Sequence, residues 1–526
     1  MTSSQKESYN EMPYTCKAFH FLYPGYLKSI STIFGLESPD IKNARILELG
    51  CGSGEGFFGF LGNYPSLEYI GVDISEAHIE HGKKVAKECA LDNVELYAMS
   101  IEDIDKKKFG TFDYIICHGV FSWVPKNIQD KILEIMGKML TPKGLAFVSY
   151  NSLPGWNMVN PIRDMLQYHT DLFTNKNDKV QQARTFIQFL SETSKEAGSP
   201  YSGFIENESN TIAANDDSFL YHEYLVEGNT EFYFTDFVQQ ANKKGLQYLS
   251  ESSLGMMDIS NNLTGKAYKT LSKVQDQIIR EQLQDYALNR RFRSNILCRK
   301  DASVNRAIAI EQVSKIGYLA NAYPSKKTEE IDFTKPLDLK FTFTVNNSKV
   351  DCNVRDPIIA AMLYAFHADG FRVKSYEDIL LFIKKQGIDC TEQAQHHIKK
   401  QLLFLLFKNM IMPWSKDKFY LEEISSKPRV SNLVRYQARS GSKHITSQMS
   451  QSFVLDESYR YVIANMDGKN DSPSLVQKLG EQIAKDSLSL MVDGKSVTDE
   501  KLKLNLLNNI VSSALQFCKS CGFLIG

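Results

Sequence analysis

The stretch that decides the fold of this chain is residues 46–56, which read ILELGCGSGEG. An apolar run that fits a buried strand leads into glycines at positions 50, 52 and 54, and the segment FFGFLGNY that follows is typical of a helix. Glycines in such a loop carry no Cβ to block a ligand, and the first helical turn offers free backbone N–H groups. The segment therefore predicts a ligand-binding loop inside an α/β domain.

Strand-like and helix-like stretches alternate from this loop up to Tyr150. The strands are ARILEL, EYIGVDI, VELYAM, FDYIICHG and GLAFVSY, and the helices between them include SEAHIEHGKKVAKECA and NIQDKILEIMGKML. Alternation of this kind predicts a parallel sheet covered by helices on both faces, a doubly wound α/β fold.

The rest of the chain is mainly helical in its periodicity. PIRDMLQYHTDLF, VQQARTFIQFLSETSKEA and the charged segment DQIIREQLQDYALNRRFRSNILCRK favour helices, GSPYSGFIENESN indicates a long ordered loop or a cap, and DLKFTFTVNNSKVDCNV indicates a hairpin turning at Asn346 and Asn347. Two further helices, DPIIAAMLYAFHADG and SYEDILLFIKKQG, open a C-terminal domain of winged-helix-like character. We therefore expect three domains, at residues 1–165, 166–300 and 301–526.

Composition excludes several classes of function. Lys and Arg number 61 against 62 Asp and Glu, so the strong basic field of a nucleic-acid-binding protein is missing, and we expect no nucleic acid partner. A polar N-terminus and the lack of a long apolar run predict a cytoplasmic protein without membrane insertion. Cys518 and Cys521 have metal-ligand spacing, but no second pair completes four ligands, so we expect no metal.

The acidic residue at the end of the second strand identifies the kind of ligand. Asp73 follows the glycine loop by about 20 residues, where a carboxylate accepts both hydroxyls of a ribose. The loop reads G-x-G-x-G and departs from the G-x-G-x-x-G of dinucleotide-binding proteins. Ser100, Ile101 and Glu102 follow the third strand, at the place where an adenine edge would lie.

ELGCGSG, GVDIS and FDYIICHG together resemble the class I S-adenosylmethionine-dependent methyltransferases. The resemblance implies a Rossmann-like class I methyltransferase domain followed by mainly helical regulatory and C-terminal domains. It also implies S-adenosylmethionine as cofactor and S-adenosylhomocysteine as product. The implied cofactor contacts are Glu48, Gly50, Cys51, Gly52, Ser53, Gly54, Asp73, Ile74, Ser100, Ile101, Glu102 and His118.

Further segments narrow the resemblance. YNEMPY near the start, HGVFSWVP and SYNSLPGW after the fourth and fifth strands, and two segments at 222–252 and 284–298 are similar to bacterial methyltransferases with a regulatory domain, among them the rickettsial protein lysine methyltransferases that act on outer membrane protein B. This resemblance implies lysine N-methylation of an outer membrane protein by a homodimer, with residues 166–300 recognising substrate and dimerising. Methylation of a small molecule or RNA, and non-catalytic cofactor binding, stay open as alternatives.

Five residues at strand ends and in the following loops are expected to rim the reaction pocket: His118, Trp123, Tyr150, Asn151 and Trp156. His118 is expected to contact the cofactor, and the two tryptophans either rim the pocket or pack a cap. Tyr150 and Asn151 either line a lysine channel or fix the loop backbone. The motif Cys117-His118-Gly119 lacks both the Asn/Asp-Pro-Pro-aromatic sequence of DNA amino methyltransferases and the Pro-Cys nucleophile of pyrimidine C5 enzymes.

Two segments outside the motifs have open alternatives. Tyr9 and Tyr14 belong to an aromatic N-terminal segment that either closes over the pocket as a lid or packs on the sheet as a helix. Residues 196–242 contain many acidic and aromatic residues and neither lysine nor arginine. That stretch either attracts a cationic substrate or is a solvated acidic face over an aromatic core.

Overall fold

The structure of the chain is a computed structural model that describes residues 16–320, 322–345, 348–367, 372–417, 421, 423–485, 491–492, 495–496 and 499–525. Tyr9, Tyr14 and the expected turn at Asn346 and Asn347 lie outside the described residues.

A seven-stranded mixed sheet forms the centre of the N-terminal part. Its strands are β1 (Arg45–Leu49), β2 (Glu68–Asp73), β3 (Val94–Ala98), β4 (Phe112–Cys117), β5 (Leu140–Asn151), β6 (Leu246–Glu251) and β7 (Phe292–Arg299). The strand order is β3-β2-β1-β4-β5-β7-β6, and β7 alone runs opposite to the other six strands. The order reverses between β1 and β4, which opens a crevice at the carboxyl ends of these strands.

Helices cover both faces of the sheet and build the remaining parts of the chain. In chain order they are α1 (Pro24–Ile33), α2 (Glu55–Leu61), α3 (Glu76–Glu88), α4 (Lys106–Phe109), α5 (Lys126–Met139), α6 (Asn160–Thr170), α7 (Lys176–Glu196), α8 (Ser202–Ala214), α9 (Asp217–Leu220), α10 (Phe234–Lys243), α11 (Gly265–Leu271), α12 (Gln277–Leu288), α13 (Pro357–His367), α14 (Tyr376–Lys385), α15 (Glu392–Phe407), α16 (Asn432–Arg439), α17 (Glu457–Ala464), α18 (Ser472–Ala484) and α19 (Glu500–Ser520).

The five predicted strands β1–β5 and the helices between them are present, but the sheet does not end near residue 165. Strands β6 and β7 complete it from residues 246–299, a region that the sequence pattern assigns to a separate domain. Residues 156–226, with helices α6 to α9, form an inserted unit with its own apolar core around Leu166, Ile187 and Tyr224. The predicted domain boundary at residue 165 is therefore wrong for the sheet. The extent of the sheet depends on the pairing of β7 with β5, which lie far apart in the chain, and local periodicity does not reveal such pairing.

Two local expectations also differ from the structure. Residues 202–214, expected within a loop or cap, are the helix α8, since Ile205, Glu208 and Ile212 recur at helical spacing and are buried against α7. The charged segment 276–300 is helical only in its first half. Its second half is the strand β7, whose residues Ile296 to Cys298 are buried in the sheet.

The C-terminal part contains two cores. The first, built on α13, α14 and α15, is continuous with the core of the sheet domain. It includes the strands β8 (Gly317–Ala320), β9 (Ala322–Pro324), β10 (Leu339–Val345), β11 (Ser348–Val354), β12 (Lys374–Ser375) and β13 (Ile411–Trp414). The second, in residues 430–524, is separate and is built on α16 to α19 with the short strands β14 (Ile445–Thr446) and β15 (Ser452–Phe453). The paired strands β16 (Met491–Val492) and β17 (Lys495–Ser496) lie between α18 and α19 in the chain.

The C-terminal unit, residues 430–524, packs against the sheet domain on the side of the glycine loop. Asn432 in α16 donates to the carbonyl of Cys89 at 3.1 Å, and the Ser452 hydroxyl accepts from the Ala18 backbone N–H at 3.0 Å. None of the helices in the described ranges combines the length and apolar character needed to cross a bilayer.

Candidate functional site

The glycine loop between β1 and α2 forms a cradle at the carboxyl end of the sheet. Gly50, Gly52 and Gly54 adopt φ angles of +73°, +55° and +75°, which side chains with a Cβ disfavour. A Cβ on Gly50 would overlap the Val120 side chain, and one on Gly52 would lie 2.9 Å from the Cys16 sulfur. The backbone N–H groups of residues 50 and 51 both donate to the carbonyl of Val72, which fixes the loop against β2.

Asp73 at the end of β2 holds this loop together. Its Oδ2 accepts from the Gly52 N–H at 2.8 Å and its Oδ1 from the Ser75 N–H at 2.8 Å. Burial raises the pKa of Asp73, and those two hydrogen bonds oppose the rise. The loop therefore fixes the orientation of the Asp73 carboxylate. Its remaining acceptor positions are free to bind two neighbouring hydroxyl groups of a ligand.

Glu48 at the end of β1 is a second carboxyl in the same wall. It accepts a hydrogen bond from the Tyr69 hydroxyl. Burial, together with the nearby charge of Asp73, raises the pKa of Glu48 to about 8. Two carboxyl groups held in a largely dry wall favour a ligand that carries positive charge, because such a ligand lowers the cost of ionising them.

A cavity of about 230 Å³ joins these elements. The predicted residues that line it are Glu48, Gly50, Cys51, Gly52, Asp73, Ile74, Ser100, Ile101, His118 and Trp123. It is also lined by residues that the sequence did not single out, among them Cys16, Lys17, Phe19, His78, Met99, Val120, Val124, Ile128, His222 and Glu223. The glycine loop, the carboxyl groups of Glu48 and Asp73 and the apolar lining residues together suit a nucleoside that carries a positively charged group.

His118 follows β4 and is held as a neutral hydrogen-bond donor. The Ser149 hydroxyl oxygen accepts from the Gly119 N–H at 2.9 Å and lies 2.9 Å from His118 Nδ1. The simplest network has the Ser149 O–H donating to Nδ1, which assigns the ring proton to Nε2. Burial lowers the pKa of His118 to about 4, so the ring is uncharged at neutral pH. This suits a contact residue, not a general acid.

Trp123 lines the cavity, whereas Trp156 lies behind it. The two indole rings meet edge to face with centroids 6.3 Å apart. The buried Arg163 guanidinium lies 5.2 Å from the centre of the Trp123 ring. Trp156 thus packs the inserted unit against the cavity wall. Of the two alternatives for this residue, the structure favours packing of a cap over a place at the rim of the pocket.

Tyr150 and Asn151 do not line the cavity. The Tyr150 hydroxyl donates to Asn295 Oδ1 at 2.7 Å inside the sheet core, and its ring stacks on Phe237. Asn151 donates from Nδ2 to Asn229 Oδ1 at 2.7 Å. Of the two alternatives for these residues, the structure therefore favours the structural one over the lysine channel. Alternation along β5 places the two adjacent side chains on opposite faces, Tyr150 against β7 and Asn151 against the loop at residue 229.

Three predicted cofactor residues lie next to the cavity without lining it. The Ser53 hydroxyl donates to Glu55 Oε1 at 3.1 Å, and Gly54 is the left-handed residue that begins α2. Glu102 is exposed and accepts from Asn127 Nδ2 at 2.5 Å. Position in a motif identifies the loop, but the direction of each side chain depends on its local turn.

Four carboxylates of the acidic stretch form ion pairs with basic residues outside it. Glu206 pairs with Lys195, Glu208 with Arg291, Asp217 with Arg184, and Asp216 with Lys17 at 2.5, 2.6, 2.8 and 3.9 Å. Most of its aromatic rings, including Tyr224, Phe234 and Phe237, are buried. The stretch is therefore chiefly structural, and its open cation-attracting surface is much smaller than its composition suggests.

Glu223 and His222 are functional candidates that the sequence does not single out, although Glu223 belongs to the acidic stretch that could attract a cationic substrate. They lie on a single π-helical turn, Tyr221–Leu225, which carries the inserted unit to the cavity wall. The only signal for them was their acidic and aromatic surroundings, and that signal does not distinguish residues of the wall from residues of the core.

Three family models match successive parts of the chain. One described as a methyltransferase domain matches residues 40–200, one described as a predicted methyltransferase regulatory domain matches 216–299, and one described as the PKMT C-terminal winged helix domain matches 426–523.

The chain is also similar over nearly its whole length to a solved structure, PKMT2 from Rickettsia typhi in complex with AdoHcy. The two share 32% sequence identity, with a TM-score of 0.90, over 98% of this chain and 100% of that one. Uncharacterized protein RP789 of Rickettsia prowazekii is 31% identical over 99% of this chain and 94% of its own length. Uncharacterized protein RP028 of the same organism is 44% identical over 47% of this chain.

Proposed function

From the premise that this chain belongs to the PKMT family of S-adenosylmethionine-dependent methyltransferases, we propose that it transfers methyl groups to lysine side chains of a protein. The observation that carries the proposal is the full-length similarity to PKMT2. The cofactor cradle and the cavity beside it support it, because a narrow cavity with an acidic and aromatic wall suits a long cationic side chain.

The residues of the cavity have separable tasks in this reaction. Glu48 and Asp73 would hold the polar parts of S-adenosylmethionine, and Ile101 with Met99 would pack on its adenine. When bound, the cofactor supplies an already activated methyl group. The protein then has to hold the substrate nitrogen uncharged and at near-attack distance, while Trp123 and Phe19 exclude water.

The substrate in this proposal is an outer membrane protein such as outer membrane protein B, and the basis is the resemblance of the motifs to the rickettsial enzymes. The test is to incubate the protein with methyl-labelled S-adenosylmethionine and separate panels of membrane protein, cytosolic protein, RNA and metabolites. Acid hydrolysis of the labelled fraction and chromatography then identify the modified residue. Label in methyl-lysine from membrane protein supports the proposal, whereas label only in RNA or metabolites refutes it.

A homodimer is part of the same proposal. Helix α12 carries Ile279, Leu283 and Tyr286 on one exposed face, with side-chain exposures of 50%, 36% and 48%. An apolar stripe of this spacing suits pairing with a second copy of the chain. Light scattering on the wild type and on Leu283→Glu tests this: a dimer mass that falls to a monomer mass in the variant is the expected result.

A further inference from the structure

Glu223 is the acidic residue that the inserted unit contributes to the lining of the cavity. It is on the π-helical turn Tyr221–Leu225 and lines the same cavity as His118 and Trp123. Turns of this kind are rare and occur frequently at functional sites. The inserted unit therefore contributes one acidic residue to the wall of this cavity.

The surroundings of Glu223 hold its backbone and leave its carboxyl group available. Within the described residues, that carboxyl accepts no hydrogen bond and forms no ion pair. Arg163 donates to the backbone carbonyl of Glu223, and also to that of Val226 at 2.6 Å. Arg291 is engaged by Glu208 at 2.6 Å. Burial raises the pKa of Glu223 to about 7, and the charges of Arg163 and Arg291 oppose the rise.

The other two carboxyl groups of the cavity, and the ring of His118, already have hydrogen-bond partners. Asp73 accepts from two loop N–H groups, and Glu48 accepts from Tyr69. His118 is neutral and bonded to Ser149. Glu223 is therefore the carboxyl group of this cavity best able to meet a cation that enters it.

We propose that the Glu223 carboxylate binds the ammonium group of the substrate side chain and accepts its proton before methyl transfer. The inference rests on the proposed function for the identity of the amine. In this step an N–H bond breaks, an O–H bond forms on Glu223, and the electron pair stays on nitrogen, free for the activated methyl group. Water at the cavity mouth later takes the proton from the carboxyl group.

Arg163 and Arg291 are the charged groups that act on the titration of Glu223. The other titratable groups that share its cavity or act on these two arginines are Glu208, Glu231, Asp164, Tyr224, His222, His118, His78, Lys17, Cys16, Glu48 and Asp73. The positive charges of Arg163 and Arg291 favour the ionised carboxylate of Glu223. An entering ammonium ion therefore binds a carboxylate whose negative charge is already partly balanced. An amide at position 223 keeps the size of the side chain and removes its titration.

The first test measures amine binding without turnover. The full-length protein saturated with S-adenosylhomocysteine is titrated with n-butylamine by calorimetry at pH 6 and pH 8. A carboxyl of pKa about 7 is about one-tenth ionised at pH 6 and mostly ionised at pH 8, so wild-type affinity should rise about tenfold between them. In Glu223→Gln the affinity should be weak and nearly the same at both values.

The second test compares pH profiles with a lysine peptide. Wild-type kcat should level off above about pH 7, whereas kcat of Glu223→Gln should be about 100-fold lower at pH 7 and keep rising as the amine deprotonates in solution. Glu223→Asp should recover part of the loss. Glu227→Gln, an exposed position on the same segment, is the matched control and should behave as wild type.

The outcomes separate the two proposals. If n-butylamine does not bind, or if its affinity has the same pH dependence in Glu223→Gln as in the wild type, the role of Glu223 is refuted. If binding depends on Glu223 but no protein lysine takes up label, the amine site stands and the lysine assignment fails. Melting curves and S-adenosylhomocysteine affinity of Glu223→Gln should match the wild type, which excludes misfolding as the cause.

Discussion

Asp73 illustrates at the residue scale how one carboxylate serves both fold and ligand. Because it accepts from the backbone of Gly52 and Ser75, Asp73→Ala strands two loop N–H groups and removes the expected ribose contact. We expect S-adenosylmethionine affinity to fall by roughly 1–3 kcal/mol, the usual cost of unpaired buried polar groups. Calorimetry on the folded variant measures it.

Asp73→Asn is the matched control, since an amide oxygen still accepts from one of the two N–H groups. It should lose less affinity than Asp73→Ala. Equal affinity of wild type and Asp73→Ala for the cofactor would mean that the carboxylate organises the loop only.

Glu48 makes stability depend on pH. Its pKa is about 8 in the folded protein and lies near 4.5 when exposed, so the folded state binds the extra proton between these values. Stability is therefore full below about pH 4.5 and is lost as pH rises toward 8. Glu48→Gln lacks this loss and should be more stable than the cofactor-free wild type by on the order of 1–3 kcal/mol at pH 8.

Urea unfolding at pH 5 and pH 8 measures the effect. The stabilisation should be much smaller at pH 5, less than about 1 kcal/mol, because pH 5 lies only about half a unit above the pKa of the exposed carboxyl. A gain of the same size at both pH values would point to packing and not to titration.

At the scale of elements, helix α8 is joined through one buried charge to Arg291, the residue before β7. Glu208 is fully buried and accepts from Arg291 at 2.6 Å and from the Tyr224 hydroxyl at 2.9 Å. Glu208→Gln leaves Arg291 without its counter-ion and should lower the free energy of unfolding by about 2–4 kcal/mol.

Glu206→Gln on the same helix is the comparison for that prediction. Glu206 pairs with Lys195 at the surface, so its replacement should change stability by less than about 1 kcal/mol. Chemical unfolding of both variants gives the values. Similar small losses in the two would show that the buried pair contributes no more than the exposed one.

At the scale of the whole molecule, the C-terminal unit contacts segments that border the cofactor cavity and stabilises their position. Ser452 pairs with both backbone groups of Ala18, at 3.0 and 3.2 Å, next to the cavity residues Lys17 and Phe19. At Gly59 in α2 the carbonyl of Ser447 approaches so closely that a Cβ would overlap it. Gly59→Val should therefore push the C-terminal unit away and loosen residues 16–19.

We expect this variant to lose about 1–3 kcal/mol of stability and to bind S-adenosylmethionine more weakly, as measured by melting curves and calorimetry. Gly62→Ala is the control, since a Cβ there meets only Leu91 at 3.8 Å. If Gly59→Val retains wild-type cofactor affinity, the C-terminal unit does not support the cavity.

The sequence alone determined the glycine loop, the strands β1–β5 and the carboxylate Asp73, because these depend on contacts within a short segment and on backbone chemistry that only certain residues allow. The tertiary structure decided that β6 and β7 complete the sheet, that Tyr150 and Asn151 face away from the cavity, and that Arg163 holds the turn carrying Glu223. Those outcomes rest on pairing and packing between residues about 60 to 150 positions apart, and local periodicity carries no record of such contacts.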